Sequence, residues 1–168
     1  LMPPLRARMS YLPLTSASAG GLSYAQGNAR VVSNPDAAGN ASTLSIKQQI
    51  DSFLASNSFV AGDVVMINGG ISDIVFETMA SIAGTQTSAQ ALANVAAVGV
   101  AFGNQIQRLV AAGAKNVLVT GVYNMSKSAW STATGQATLL DAASSKFNEQ
   151  LLVTIVNLGA NVLYVDSA

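Results

Sequence analysis

Two kinds of side chain that commonly act as a base or nucleophile are missing from this chain. The 168 residues contain no histidine and no cysteine. A serine–histidine–aspartate hydrolase needs an imidazole to take the nucleophile's proton and return it to the leaving group, so these residues alone lack that base. Without cysteine, the given sequence forms no disulfides, thiol nucleophiles or thiolate metal sites.

The polar residues of most interest are those that directly follow candidate strands. In open parallel sheets, ligands bind beyond the carboxyl ends of the strands. Residues in these positions therefore define the candidate site. They are Gly27-Asn28, Gly70-Ile71-Ser72-Asp73, Gly121 to Asn124, and Asp166.

The elements that must position these residues include a helix–strand unit that occurs twice. Residues 109–119 read LVAAGAKNVLV, and residues 155–165 read IVNLGANVLYV. In each copy a helix ends at a glycine, which adopts the left-handed conformation there without steric cost. A short apolar strand follows. The repetition predicts two αβ units.

The helices before those glycines have apolar residues at steps of three and four, which form one stripe on each helix. The stripes are Leu92, Val95, Gly99, Phe102, Ile106 and Leu109, then Leu140, Ala143, Phe147, Leu151 and Ile155. An earlier helix is predicted from Ile46 to Leu54, with Ser42, Thr43 or Ser45 as its N-cap.

Continuously apolar strands separate the predicted helices. A clear strand covers Asp63 to Asn68, and a weaker first strand lies near Gly21 to Ala25. This alternation implies a parallel sheet covered on both faces. With right-handed crossovers we expect helices on alternate sides, giving an α/β fold with three α/β/α layers.

The predicted domain organisation is a single unit. Residues 1–20 are Pro- and Ser-rich without periodicity and are predicted to be a loop or irregular segment. Residues 21–168 are predicted to form one partial α/β domain. Tyr123 to Gly135 is predicted to be a polar loop that carries Trp130.

Composition argues against several partner classes. The net formal charge is zero, which gives no electrostatic basis for binding nucleic acid or an anionic membrane. The longest apolar run, Ala91 to Gly103, is interrupted by Asn94 and is shorter than the ~20 residues of a transmembrane helix. Only 10% of the residues are charged, which is typical of secreted bacterial enzymes.

Four segments, taken in order, resemble conserved blocks of the GDSL/SGNH hydrolases. Residues 23–31, SYAQGNARV, resemble the second block, commonly Tyr-Ala-x-Gly-Gly-Ala-Arg. Residues 68–73, NGGISD, resemble the third block, commonly Gly-x-Asn-Asp. Residues 147–151 and 162–166 resemble the helix and strand before the final block. The similarity is nearest to the secreted bacterial branch that includes autotransporter esterases.

This resemblance implies an esterase or lipase that acts on a small-molecule or lipid acyl ester and needs no cofactor or metal. A serine of the first block attacks the ester carbonyl, and a C-terminal Asp-x-x-His block supplies the base. Neither block occurs in this sequence, so we expect both to lie outside residues 1–168 and this chain alone to be inactive. Together with the composition, the resemblance implies a secreted, periplasmic or outer-membrane-associated protein.

The resemblance also implies two donors to an oxyanion. The backbone N–H of Asn28 stands where the second block has glycine, and the Ser72 hydroxyl where the third block has asparagine. Asparagine tolerates the left-handed conformation, and a hydroxyl donates but is shorter than an amide. Six further residues are expected to contact substrate: Gly27, Gly70, Ile71, Asp73, Tyr123 and Trp130.

Several of these residues have an equally simple structural interpretation. Gly27 is as consistent with a tight turn, and Asp73 is favoured as a helix cap. Arg30 is interpreted as an ordinary surface ion pair with Asp36 or Asp73. Trp130 is more typical of a loop anchor than of an acyl pocket.

The alternative function is a non-catalytic SGNH-like module that binds acyl or carbohydrate ligands or serves as a scaffold. The departures at Asn28 and Ser72 motivate it. A Rossmann-like nucleotide binder is disfavoured because the sequence has no Gly-x-Gly-x-x-Gly and no Walker loop.

Overall fold

The computed structural model describes residues 16–167. This part of the chain is mixed α/β, with five α-helices and three strands. The helices are α1 (Ile46–Ser56), α2 (Ile71–Ile82), α3 (Ser88–Ala111), α4 (Ala129–Thr134) and α5 (Ala137–Ile155). The strands are β1 (Val64–Asn68), β2 (Asn116–Thr120) and β3 (Val162–Val165). Short 3-10 turns cover Ala17–Ala19, Met125–Lys127 and Val156–Asn161.

Helix boundaries follow the predicted local signals. The N-cap of α1 is Ser45, which forms a capping box with Gln48, so one of the three predicted caps is confirmed. Helix α3 ends just before Gly113, whose φ is +110°. The second glycine does not end its helix as predicted: α5 ends at Ile155, and Gly159, with φ +57° and ψ −137°, lies inside the 3-10 turn that joins α5 to β3.

The sheet is parallel and its strands run in sequence order, β1-β2-β3. Met66 pairs with Leu118, and Leu118 pairs with Leu163. Because right-handed crossovers that advance in one direction across a sheet put their helices on the same side, both connections cover one face. No connection within residues 16–167 reverses direction. The described residues therefore form a parallel sheet with helices on one face, and helices on the other face stay a prediction.

The covered face of the sheet belongs to the hydrophobic core. Val117 and Val119 of β2 are completely or almost completely buried there. Phe102 of α3 and Phe147 of α5 belong to the same core and stack on each other with ring centroids 5.9 Å apart. Both predicted stripes are confirmed, since their members are buried except for the half-buried Leu92.

The opposite face of the sheet is apolar and exposed in the part of the chain that is described. Met66 is 75% exposed, and Val64 and Leu163 are each 64% exposed. Leu118 lies between Met66 and Leu163 and lines a shallow cleft on this face. We call the surface formed by Val64, Met66, Leu118 and Leu163 the bare sheet face.

Two other predictions are corrected. The weak strand near Gly21–Ala25 does not form, because this segment makes only an isolated parallel bridge between Ser16 and Ser23. Residues 123–135 are not simply a loop, since they contain a 3-10 turn and α4. Most of the segment predicted to be irregular, residues 1–20, lies outside the described residues. Over residues 16–167, no helix combines the length and apolarity that a bilayer crossing requires.

Candidate functional site

Two predicted segments are joined at the carboxyl end of β1. Asp73, in the first turn of α2, accepts a hydrogen bond from the Val31 N–H at 2.9 Å. Its other carboxylate oxygen accepts one from Arg30 Nε at 3.2 Å. The loop that carries Asn28 is therefore fixed against the start of the helix that carries Ser72.

Asn28 has the backbone conformation that the sequence suggested it could tolerate. Its φ is +61°, and it is the one non-glycine with positive φ among residues 16–167. Its carbonyl accepts a hydrogen bond from the Ala37 N–H at 3.1 Å. Within the same range its own N–H donates to no protein acceptor. Gly27 and Asn28 are both exposed and form a turn.

The junction between β1 and α2 is built around Gly70. This residue is the N-cap of α2 with φ +102°, and no side chain caps the helix. A Cβ at Gly70 would overlap the Phe147 ring. Gly70 is thus explained by backbone conformation and packing, and its buried position keeps it from direct contact with a ligand.

Ser72 lies in the first turn of α2 and is half-buried. Its hydroxyl makes no hydrogen bond to another described residue. The first N–H groups of a helix have no partner within the helix and carry partial positive charge. Because Gly70 provides no side-chain cap, the N-terminus of α2 presents these N–H groups together with the Ser72 hydroxyl.

Asp73 belongs to a buried charged cluster. Its side chain is completely buried, and Arg30 and Glu77 are each 7% exposed. Arg30 lies 3.7 Å from Glu77, and its guanidinium is 3.8 Å from the centroid of the Phe76 ring. Burial raises the pKa of Asp73, and its hydrogen bond from Val31 and the nearby Arg30 charge oppose that shift.

Two structural interpretations are corrected by this cluster. Asp73 does not cap α2, because its carboxylate binds Arg30 and Val31. Arg30 does pair with Asp73, but the pair is buried and not at the surface. Asp36 instead accepts hydrogen bonds from Ala38, Asn40 and Thr43 within its own loop.

The segment after β2 is held by a buried amide. Asn148 of α5 accepts from the Val122 N–H at 2.9 Å and donates to the Val122 carbonyl at 2.7 Å. A Cβ at Gly121 would overlap the Tyr164 hydroxyl of β3. This close packing sets the path of the chain toward Tyr123, which is 41% exposed.

The remaining predicted contact residues have different environments. Ile71 is 38% exposed beside Ser72. Trp130 lies in α4 and packs against the hydrophobic core. Tyr123 and Ile71 are thus available to a ligand at this end of the sheet, whereas Trp130 serves to anchor α4.

Two functional candidates were missed by sequence reasoning. Glu77 accepts hydrogen bonds from Gln86 and Asn94, both at 2.8 Å, and thereby completes the charged cluster. Its spacing of four from Asp73 on a helix is a signal that places both carboxylates on one face. Asn148, the second, lies on the buried stripe side of α5, where a polar residue needs a hydrogen-bonding partner.

No group of acidic side chains within residues 16–167 is arranged to hold a metal ion. No protein-family model and no curated protein sequence matches this chain.

Proposed function

We propose that these residues form the central part of an ester hydrolase of the GDSL/SGNH type. The nucleophilic serine and the histidine base come from outside the 168 residues. The chain contributes the oxyanion-binding side of the site. Its substrate is a small-molecule or lipid acyl ester, and the protein is secreted, periplasmic or associated with the outer membrane.

One observation carries this proposal. Asn28 and Ser72 each offer a donor with no partner among residues 16–167, and the contact between Val31 and Asp73 ties their two segments together. An oxyanion that forms when a serine attacks an ester needs such donors, arranged in advance. The proposed donors are the Asn28 N–H and the Ser72 hydroxyl.

The N-terminus of α2 adds to the same effect. The helix has 12 residues and no side-chain N-cap, so its first N–H groups are available to an anion. Developing negative charge near Ser72 would interact favourably with the positive end of the helix dipole. The site is therefore suited to an oxyanion and not to a cation.

The bare sheet face supports the three-layer part of the proposal. Surfaces of contiguous apolar residues in soluble proteins are ordinarily covered by a partner or another part of the fold. In the proposal, a part of the polypeptide outside residues 1–168 adds a strand beside β1, and this strand reverses the direction in which the sheet advances. The third layer that follows covers Val64, Met66 and Leu163. The reversal creates the crevice in which open α/β sheets bind ligands.

A second candidate is a non-catalytic SGNH-like binding or scaffold module. The observation that favours it is Ser72 itself, which stands where the resemblance implies an asparagine. A hydroxyl is shorter and rotates more freely than an amide, and loss of one oxyanion donor costs about 3 kcal/mol of transition-state stabilisation.

Turnover of an ester by the wild-type full-length polypeptide separates the two candidates, and substitution of Ser72 tests its donor role. Ser72→Ala is expected to lower kcat for a short p-nitrophenyl ester by about 100-fold. The matched control is Ser81→Ala, on the same helix, where the hydroxyl interacts with Ser88 at 3.3 Å and with no other residue in the described part of the chain. A folded full-length protein with turnover unaffected by Ser72→Ala would exclude the proposed donor role.

A further inference from the structure

The structure assigns a positioning role to the buried Arg30–Asp73 pair, which sets the Asn28 N–H in register with the Ser72 hydroxyl. This inference rests on the proposed function, because the register matters only where both donors bind one oxyanion. Neither residue is proposed to touch substrate. Both are too deeply buried to do so, with 7% exposure for Arg30 and none for Asp73.

The geometry of the pair controls orientation as well as distance. The two carboxylate oxygens of Asp73 bind different groups, Oδ2 the Val31 N–H at 2.9 Å and Oδ1 the Arg30 Nε at 3.2 Å. Contacts to a backbone N–H and to the adjacent side chain restrain both translation and rotation of the loop. Asn28 lies only three residues before Val31, and Ser72 directly precedes Asp73.

A second set of contacts keeps Arg30 in place. Its guanidinium stacks 3.8 Å from the centroid of the Phe76 ring and lies 3.7 Å from Glu77. Glu77 is in turn held by the amides of Gln86 and Asn94. Arg30 is therefore held by α2 and, through Glu77, by residues around the start of α3.

The loop beyond Asn28 is tied to the same framework. The Arg30 and Val31 carbonyls accept hydrogen bonds from the N–H groups of Ile46 and Lys47, both at 2.9 Å. The Asn28 carbonyl accepts from Ala37. Backbone exchange at Ala37 therefore reports on the position of Asn28 independently of any chemistry.

The test uses the full-length polypeptide and compares Arg30→Met, Arg30→Lys and Asp73→Asn with the wild type. Because a displacement of about 1 Å in a catalytic site can lower the rate by about 100-fold, Arg30→Met is expected to lower kcat by about that factor. KM should change by less than about threefold, since ground-state binding does not use these donors. Arg30→Lys keeps the charge and the fold and should recover part of kcat.

The matched control is Asp51→Asn, the same chemical change at a half-exposed carboxylate on α1, which pairs with Lys47 of α1 and Arg108 of α3. It should leave kcat unchanged within about twofold, as expected for an exposed pair. Hydrogen exchange at Ala37 is measured in all variants. It should accelerate by about 10-fold or more in Asp73→Asn relative to Asp51→Asn at equal distance from each variant's Tm.

A kcat per folded molecule within about twofold of wild type in both Arg30→Met and Asp73→Asn overturns the inference. Unchanged exchange at Ala37 in Asp73→Asn also overturns it. If the folded wild type hydrolyses no ester, the proposed function has failed, and Ala37 exchange alone decides whether the pair positions Asn28.

Discussion

Asp73 on α2 accepts a hydrogen bond of 2.9 Å from the backbone N–H of Val31, which lies 42 residues earlier in the chain. This contact brings an exposed turn to the carboxyl end of β1, although the turn belongs to no strand of the described sheet. The loop and the helix are thus coupled by a single completely buried carboxylate.

Loss of that carboxylate should destabilise the 168-residue chain substantially. Asp73→Ala leaves the Arg30 guanidinium without its main partner and the Val31 N–H without its acceptor. Removing one member of a buried ion pair costs on the order of 3 kcal/mol. Urea unfolding measures the loss of unfolding free energy. The control is Asp51→Ala, which removes a half-exposed ion pair and should cost less than about 1 kcal/mol. Equal losses in the two variants would contradict the structural role of the cluster.

Gly70 should tolerate no side chain. Gly70→Ala adds a Cβ that overlaps the Phe147 ring at a φ of +102°, and strain and overpacking together should cost about 3 kcal/mol. Gly113→Ala is the matched control, because its φ is +110° but a Cβ there would meet nothing within 4 Å. It should cost only about 1 kcal/mol. A similar loss of unfolding free energy in both variants would refute the packing argument.

Truncation of the Asn148 side chain should lower the unfolding free energy markedly. Asn148→Ala leaves both the N–H and the carbonyl of Val122 without their buried partner, at a cost of about 2 kcal/mol. Asn104→Ala, at an exposed position on α3, should change the unfolding free energy by less than about 0.5 kcal/mol. Thermal and urea unfolding measure the stability of both variants. An unchanged unfolding free energy in Asn148→Ala would contradict the role of its two hydrogen bonds to Val122.

Asp36 should contribute to the loss of stability in acid. Its pKa is lowered from 3.8, first by the hydrogen bond from Thr43 and also by that from Asn40. Because the pKa of Asp36 is lower in the folded state than in the unfolded state, its carboxylate stabilises the fold at pH values above 3.8. This stabilisation is lost as the pH falls through the pKa of the folded state.

Asp36→Asn should therefore lose stability less steeply than wild type as the pH is lowered from about 7 to about 2. Some slope remains, because the hydrogen bonds from Lys47 and Arg108 also lower the pKa of Asp51. The measurement is Tm against pH, and identical slopes in the two proteins would contradict the prediction.

The bare sheet face should behave differently in the 168-residue chain and in the full-length polypeptide. Met66→Lys and Leu163→Lys replace side chains that are 75% and 64% exposed, so each should leave the Tm of the 168-residue chain nearly unchanged and reduce its self-association. In the full-length polypeptide the same changes should destabilise the fold by about 2 kcal/mol or more, because the proposal buries this face. Sedimentation measures the self-association of the 168-residue chain, and thermal unfolding measures the stability of both proteins. No effect in the full-length protein would contradict a third layer.

Local signals predicted much of the fold. Ser45, Gly113 and the two apolar stripes mark helix ends and buried faces through interactions between near neighbours in sequence. These depend on backbone conformation and helical period, which short segments determine.

The arrangement of those elements was harder to predict. Which side a helix takes depends on the direction in which the strands advance, and that is a long-range property of the sheet. The burial of Arg30 likewise depends on Phe76 and Glu77, more than 40 residues away. At the candidate site, the family resemblance suggested Asn28 and Ser72, and the sequence offered Asp73 as one of two partners for Arg30. The burial of that pair and the hydrogen bond from Val31 could be seen only in three dimensions.

The most direct test of the proposed function is hydrolysis of p-nitrophenyl butyrate by the full-length polypeptide and, in parallel, by the 168-residue chain. We predict turnover by the full-length protein and only background hydrolysis by the chain, which has no histidine. A folded full-length protein that hydrolyses the ester no faster than buffer would contradict the account.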